Sequence, residues 1–333
     1  MPGIITFSKL GRLGQAGNCI MEYAFLRTYA RRFGLDYQCP DWGNKYLFGH
    51  NDPPVTTNLP TWLERREPCP HGDLYGVPIP DMGDLCVGHD YYGWAQFHTS
   101  WYAPDKEFIQ SLFHVVSPER DRVLPALYNT MGDTVISLHL RRGDSGRLIF
   151  PLLPITWPLR WLHANWSRFK NPVLYIATEN KTLAKHFHYY HPVMQEDLGI
   201  MPTGVPPPNY KYPHTKDNPS LQTVDWFPDW YILQHSDVIL ASDSAFSSSA
   251  AMMNHNIKEF WRPRLSLQGF EKVDPWNMPF ITREHLDDWP GIPGTQIDSN
   301  LAFAHCWRGF RPKFPSVPET EEMIKECEVP PCA

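Results

Sequence analysis

The order of apolar and polar segments predicts strands followed by helices in both halves of the chain. Residues 4–7 form a short apolar run that indicates a first strand. The glycine-rich stretch KLGRLGQAGN follows it, and residues 19–33 have the length and apolar content of a buried helix that ends near Gly34. The chain therefore opens with a strand, a glycine turn and a helix.

Apolar runs and helical patterns also alternate in the second half. The predicted strands there are residues 135–140, 173–177 and 238–241. The predicted helices are residues 158–169, 181–190, 229–236 and a last one opened by SDSAFSSSAAMMN. This alternation predicts a parallel sheet, in which ligands bind at the carboxyl ends of the strands. Between the halves, we expect loops over residues 36–105 and a helical segment over 106–130.

Composition narrows the class of protein. A chain of 333 residues is long enough for two domains, and its net charge of −6 argues against a nucleic-acid partner. The seven cysteines are scattered without a Cys-x-x-Cys pair, so we expect neither a zinc site nor a full disulfide framework. Without a long apolar run or a secretion signal at the N-terminus, the expectation is a soluble, cytoplasmic protein with no membrane span.

Polar side chains gather where three of the predicted strands end. The three groups are His139, Arg141, Arg142 and Asp144; Thr178, Glu179 and Asn180; and Ser242, Asp243, Ser244 and Ser247. Arginine offers a rigid fork of donors that matches a phosphate, and a serine-rich turn that opens a helix offers hydroxyl and N–H groups to an anion. These groups together predict a diphosphate site that needs no metal.

Glu179 indicates which base the nucleotide carries. A carboxylate beyond the neighbouring strand can accept two donors from the edge of guanine, and uracil lacks that pair of donors. This favours a GDP-linked over a UDP-linked ligand. Simpler roles stay open: the arginine pair as a surface ion-pair site, Glu179 as a solvated acid, and Ser244 as a helix cap.

The glycine turn is a weaker signal. Gly11, Gly14 and Gly17 are spaced as G-x-x-G-x-x-G, which is neither the dinucleotide fingerprint nor a P-loop. The simpler alternative is a tight turn that needs positive φ angles, followed by Asn18 as an ordinary N-cap.

Four segments of the chain resemble GDP-fucose-dependent fucosyltransferases, and they follow one another in the same order as in those enzymes. HLRRGD looks like their His-x-Arg-Arg-x-Asp motif, and GQAGNCIMEYAFLRTYA is similar to the segment that opens the α-1,2-fucosyltransferases. LYIATEN resembles the strand whose terminal acid reads guanine in protein O-fucosyltransferases. DWYILQHSDVILASDSAFSSSAAMMN resembles the third block of the α-1,2 family. The resemblance spans residues 11 to about 254.

The resemblance implies an α/β, GT-B-like fold with two Rossmann-like domains facing a cleft. Residues 1–130 would form the acceptor-side domain and 131–333 the donor domain, with the tail after about 290 packing back on the first. The implied reaction is inverting transfer of L-fucose from GDP-fucose to a glycan hydroxyl, through an α-1,2 linkage. No metal or other cofactor is implied, and the sequence has no Asp-x-Asp motif.

The same resemblance assigns roles to residues. Arg141 would grip the β-phosphate of the leaving GDP, and Arg142 and Asp144 would brace its loop. The other implied donor-side contacts are His139 lining the site, Glu179 on guanine, and Ser244, Phe246 and Ser247 near phosphate and base. Gly14, Gly17 and Asn18 would lie across the cleft near the fucose and the acceptor, and Asn18 is expected to be catalytic together with Arg141.

A base for the acceptor hydroxyl is not evident. Asp90, in the aromatic stretch GHDYYGW, is the candidate, and a plain loop carboxylate is the alternative.

Departures from the family pattern keep other functions open. Cys19 stands where the family has Gln, Asp243 where it has Asn, and serines where Trp often ends the third block. A different GDP-sugar or a UDP-sugar is one alternative, and a catalytically silent carbohydrate-binding protein is another. Arg142-Gly143-Asp144 as an adhesion tripeptide is a third, and exposure of Asp144 would discriminate it.

Overall fold

A computed structural model describes residues 3–42, 45–64, 84–118, 120–121, 123, 125, 132–142, 153–200, 225–264 and 267–280. Within them, nine strands form two sheets. The first sheet has the order β2-β1-β4-β3, with β1 Ile4–Thr6, β2 Asp36–Gln38, β3 Thr61–Leu63 and β4 Asp90–Tyr92. The second has the order β6-β5-β7-β8-β9, with β5 Thr134–Leu140, β6 Pro172–Thr178, β7 Val238–Leu240, β8 Glu259–Arg264 and β9 Gly269–Val273.

Helices flank these sheets. The α-helices are α1 Ala16–Phe33, α2 Lys106–Leu112, α3 Thr156–Asn165, α4 Phe227–His235 and α5 Ala245–Met253. Short 3₁₀ segments are Lys45–Phe48, Thr99–Trp101, Ala103–Asp105, Trp166–Arg168 and the longer Lys181–Tyr190. Every strand pair is parallel except β8 with β9. The predicted α/β class with parallel sheets is therefore confirmed.

Helix α1 lies at the centre of the larger core. It is apolar on nearly all sides and most of its residues are buried, which is typical of a helix covered by structure on every face. It ends at Gly34, whose φ of 60° lets its N–H reach back to the carbonyls of Ala30 and Arg31. The core around it includes side chains from α4 and α5, so both halves share it.

The N-termini of α1 and α5 touch. A Cβ atom placed on Gly17 would lie 2.6 Å from the carbonyl carbon of Ala245 and from the backbone nitrogen of Phe246. Helix α1 follows β1 and α5 follows β7, and a helix after a parallel strand begins at the strand's carboxyl end. The contact therefore turns the carboxyl edges of the two sheets toward each other, as expected for two Rossmann-like halves facing a cleft.

The chain after β9 returns to the first half. Thr99 N–H donates to the carbonyl of Met278 at 2.8 Å, and Met278 N–H donates to Thr99 Oγ1 at 2.9 Å. The tail after about residue 290 lies outside the described residues. The domain boundary near residue 130 stays a prediction.

The structure corrects three expectations about local structure. Residues 36–105 contain β2, β3 and β4, which were missed because three-residue strands are too short to show an alternating pattern. The helical segment expected over 106–130 is interrupted after Leu112, where Val116 N–H donates to the carbonyl of Leu47, and helical residues recur at 120–121, 123 and 125. Residues 181–190 are 3₁₀ rather than α-helical.

The described helices and cysteines allow two plain statements. No helix in the described ranges has both the length and the apolar character needed to cross a bilayer. Cys19, Cys39 and Cys86 are free and buried.

Candidate functional site

The ends of three strands of the second sheet are joined by hydrogen bonds. Strands β5 and β6 pair in register along their full length, so they end side by side. Arg142 N–H, just beyond β5, donates to Glu179 Oε2 beyond β6 at 2.9 Å. Arg141 N–H donates to Ser242 Oγ beyond β7 at 3.0 Å, and that hydroxyl donates to the carbonyl of His139 at 2.7 Å. The three polar groups singled out in the sequence thus meet at one edge.

Two helix N-termini adjoin this edge. Ser244, two residues after Ser242, is the N-cap of α5, and its Oγ accepts the N–H of Phe246 at 3.2 Å. The N-terminus of α1 packs against the same turn through Gly17. Each helix carries partial positive charge at this end, and Arg141 adds a full one. The edge is therefore electrostatically suited to an anion such as a diphosphate.

Ser244 and Ser247 have structural roles. The helix-cap alternative for Ser244 is the one the structure shows. Ser247 is fully buried, and its hydroxyl donates to the carbonyl of Ser242 at 3.2 Å while lying 3.1 Å from His139 Nδ1. Ser247 has no exposed surface in this structure, and its contact with the donor stays a prediction.

His139 is buried and neutral. Burial first, and then the positive charges of Arg141 and Arg142, together lower the pKa of His139 to about 3. Its ring packs 5.2 Å from that of Phe246, which is partly buried and also contacts the ring of Trp226. His139 therefore lies beneath the edge and fixes Phe246, rather than supplying a charge to the site.

Arg142 and Glu179 hold the loop after β5. The Arg142 guanidinium donates to the carbonyls of Arg141 at 3.1 Å and Leu153 at 2.8 Å. Glu179 is exposed, and one of its oxygens accepts the Arg142 N–H described above. Asp144, whose exposure would discriminate an adhesion tripeptide, lies outside the described residues.

Asp90, the candidate base, is held by hydrogen bonds. It lies in β4, not in a loop, and its carboxylate accepts from Thr6 Oγ1 at 2.7 Å, Ser8 N–H at 2.8 Å and Ser8 Oγ at 2.6 Å. Both oxygens are therefore engaged by the chain that leaves β1. The carboxylate ties the first sheet together, and its role as the base stays a prediction.

The glycines of the turn have two different uses. Gly11 and Gly14 have φ angles of 81° and 86°, as a tight turn requires. Gly17 is helical and is needed for the close approach of α5 instead. Asn18 is not the N-cap, since α1 starts at Ala16; its Oδ1 accepts from Gln96 Nε2 at 2.7 Å.

Sequence reasoning missed the buried ionisable side chains around the site. Asp243 and Arg262 form an ion pair with 2.5 Å between Oδ1 and Nη2, and both side chains are at least 97% buried. Glu22, in α1, is fully buried, and its Oε2 accepts the N–H of Gly11 at 3.1 Å. Burial, with a smaller contribution from Glu64, raises the pKa of Glu22 well above its ordinary value. A single acid within CIMEYAFL was the available signal.

Metal ligands form no group in the ranges that the structure describes: no three His, Cys, Asp or Glu side chains there are placed to hold an ion. The absence of a metal requirement stays a prediction.

Comparison with known proteins gives structural likenesses only. No protein-family model and no curated protein matches the chain. Fucosyltransferase NodZ from Bradyrhizobium matches at 11% identity and a TM-score of 0.46, over 83% of this chain and 99% of that one. POFUT1 in complex with GDP-fucose matches at 11% and 0.45, over 78% and 97%. An Arabidopsis thaliana FUT1 variant with GDP matches at 10% and 0.47, over 83% and 75%. Likenesses with TM-scores below 0.5 carry no argument about the chemistry of this chain.

Proposed function

We propose that this chain is a glycosyltransferase that moves L-fucose from GDP-fucose to a hydroxyl of a glycan acceptor, with inversion and without a metal. The observation that carries the proposal is the junction at Arg141, where three strand ends meet beside two helix N-termini. The α-1,2 linkage comes from the sequence resemblance.

The charges at the junction suit a departing diphosphate. Negative charge develops on GDP as the bond to the sugar breaks, and preorganised donors at that place lower the barrier. The backbone of Arg141 is fixed by Ser242, while its neighbour Arg142 is spent on holding the loop. Arg141 is thus the guanidinium we assign to the phosphates.

Glu179 is the group we assign to the base. It is exposed at the end of β6, and its position is fixed by the bond from Arg142 N–H. A carboxylate can accept from the N1–H and N2–H groups of guanine, which uracil does not offer. The proposed donor is therefore a GDP-sugar.

The test is a transfer assay with GDP-fucose and a panel of glycans, run beside UDP- and other GDP-sugars. Arg141→Ala should lower the rate by about 10²- to 10³-fold, the usual cost of removing one preorganised transition-state donor. Arg160→Ala is the matched control, because Arg160 is exposed on α3 and its guanidinium donates to the carbonyl of Gln268, away from the junction.

Three results would count against the assignment. Near-wild-type transfer by Arg141→Ala would remove its role. Transfer from a UDP-sugar in preference to GDP-fucose would overturn the donor, and binding of glycans without any transfer would favour a carbohydrate-binding protein.

A further inference from the structure

The loop after β4 holds a buried residue in a strained conformation. Ala95 has a φ of 52°, in the left-handed region that residues with a Cβ avoid, and it is fully buried. Its N–H donates to Glu64 Oε2 at 2.8 Å, and its carbonyl accepts from the Tyr102 hydroxyl at 2.5 Å. The surrounding structure therefore enforces this backbone from both sides. Strain kept in this way marks a place where the direction of the neighbouring side chains matters.

Glu64 is fixed as firmly as the loop it holds. The same Oε2 accepts from the Tyr91 hydroxyl at 2.6 Å. Gly93 makes room for this carboxylate, since a Cβ there would lie 2.1 Å from Glu64 Oε2. The loop from Gly93 to Gln96 thus leaves β4 on one defined path.

That path brings Gln96 to the N-terminus of α1. Gln96 is 95% buried, and its Nε2 donates to Asn18 Oδ1 at 2.7 Å. The Nδ2 of Asn18 lies over Gly14, 1.8 Å from where a Cβ would be, and the Trp94 ring lies 2.7 Å from the same point. Gly14 is therefore required by the position of the Asn18 carboxamide.

The other end of this carboxamide is not hydrogen-bonded within the described residues. Asn18 is partly buried, and no hydrogen bond of its Nδ2 is found in the part of the chain that the structure describes. Gly17, the next residue back, touches the α5 turn beside the Arg141 junction. A sugar joined to a diphosphate at that junction would therefore lie near the Asn18 carboxamide.

We propose that Gln96 is a positioning residue for the sugar subsite. By donating to Asn18 Oδ1, it fixes which end of the Asn18 carboxamide faces the cleft, so that Nδ2 donates to an oxygen of the transferred sugar. Without Gln96 the carboxamide is free to rotate and present its oxygen, which cannot donate. This inference rests on the proposed function, because the ligand is the sugar of the nucleotide donor.

The test compares Gln96→Met, Asn18→Ala and the double variant. Gln96→Met keeps the length of the side chain and removes the donor. Gln110→Met is the matched control: Gln110 is also buried, and its Nε2 donates to the carbonyls of Met252 and Asn254, away from the cleft. We expect Gln96→Met to lower kcat for fucose transfer about tenfold, a usual cost of misplacing a group near the reaction, and GDP affinity to stay unchanged. Gln110→Met should lower only the unfolding temperature.

The double variant separates positioning from general stability. If Gln96 acts through Asn18, adding Gln96→Met to Asn18→Ala should cause no further loss of kcat. A loss of the same size in both backgrounds, or full activity of Gln96→Met, would overturn the inference.

A measurement without substrate separates this inference from the proposed function. The side-chain amide resonances of Asn18, assigned by their absence in Asn18→Ala, should move in Gln96→Met and stay in place in Gln110→Met. If they move while the parent protein transfers no sugar, the positioning contact stands and the proposed function fails. If the parent transfers fucose and the resonances do not move in Gln96→Met, the positioning role fails alone.

Discussion

The two sides of the candidate site are built from different kinds of contact. On the side of the second sheet, β5 and β6 are seven residues long, run in register and end directly in the residues of interest, Arg141 and Glu179. On the side of the first sheet, the strands have three residues each, and the polar side chains are held by other side chains rather than placed by a long strand. Asn18 is held by Gln96, 78 residues away, and Ser8 by Asp90, 82 residues away.

The charges differ in the same way. The second-sheet side has two partly buried guanidiniums and the N-terminus of α5, groups that suit a diphosphate. The first-sheet side has an amide with one fixed end, as recognition of a neutral sugar requires. We therefore expect variants of the two sides to fail differently: one in nucleotide binding, the other in stability or transfer with nucleotide binding intact.

The largest loss of stability is expected from a variant on the side of the second sheet. Arg262→Met removes the guanidinium that pairs with the buried Asp243, and breaking a buried ion pair typically costs about 3–5 kcal/mol of unfolding free energy. Because Asp243 lies in the turn that caps α5, GDP affinity should fall as well. Thermal unfolding and GDP titration measure both. Arg168→Met, which removes a half-exposed pair with Glu259, is the control and should cost about 1 kcal/mol or less. Unchanged GDP affinity in a folded Arg262→Met variant would contradict the expectation that variants on the side of the second sheet lose nucleotide binding.

Asp90→Asn tests the first side. The substituted side chain keeps one acceptor oxygen, and an NH₂ group replaces the other. Because an NH₂ group cannot accept from the donors of Thr6 and Ser8, we expect the free energy of unfolding to fall by about 1–3 kcal/mol. GDP affinity and kcat at a temperature where the variant is folded should stay near wild type. The exposed Asp84→Asn is the control for charge. A loss of kcat by orders of magnitude in a stable Asp90→Asn would support Asp90 as the base.

For each unit of pH, Glu22→Gln is expected to change the free energy of unfolding by less than the two variants above. It stabilises the fold, whereas they destabilise it. Burial raises the pKa of Glu22 in the folded state, so above the ordinary carboxyl pKa the unfolded chain releases a proton that the folded chain retains. Unfolding free energy is therefore lost as pH rises from about 4, by up to about 1.4 kcal/mol per pH unit, until the folded pKa is passed.

Glutamine keeps an acceptor for the Gly11 N–H and does not titrate. Urea unfolding from about pH 4 to about pH 8 should show Glu22→Gln gaining on wild type as pH rises, while the exposed Glu107→Gln should not. Equal slopes for Glu22→Gln and wild type would show that Glu22 is charged in the fold.

How much the sequence could predict differs between the two sides as well. The strands β5, β6 and β7 are apolar runs that stop at polar residues, so their ends and the groups on them were evident. The contacts of Asn18 and Asp90 depend on which three-residue strands pair, and no local pattern encodes that. The hydrogen bonds of Asp90 were missed for this reason: a carboxylate in an aromatic stretch looks the same in the sequence whether it faces a substrate or accepts from Ser8.

The packing of α1 on α5 was hidden for a related reason. Gly17 belongs to a glycine-rich turn, where positive φ is the usual need, and only the contact with Ala245 shows that the missing side chain is what matters. The sequence also did not indicate that Arg262 is buried, because a charged residue in a strand such as EFWRPR is usually solvent-facing.

The central claim is that the edge at Arg141 binds a guanosine diphosphate, and nucleotide-dependent thermal stability tests it most directly. GDP at about 100 times its dissociation constant should add roughly 2.7 kcal/mol, a shift of several degrees for a chain of this size. UDP and ADP at the same concentration should add much less, and Arg141→Ala should cancel the response to GDP while Arg160→Ala retains it. Equal stabilisation by all three nucleotides, or none by GDP, would contradict the claim.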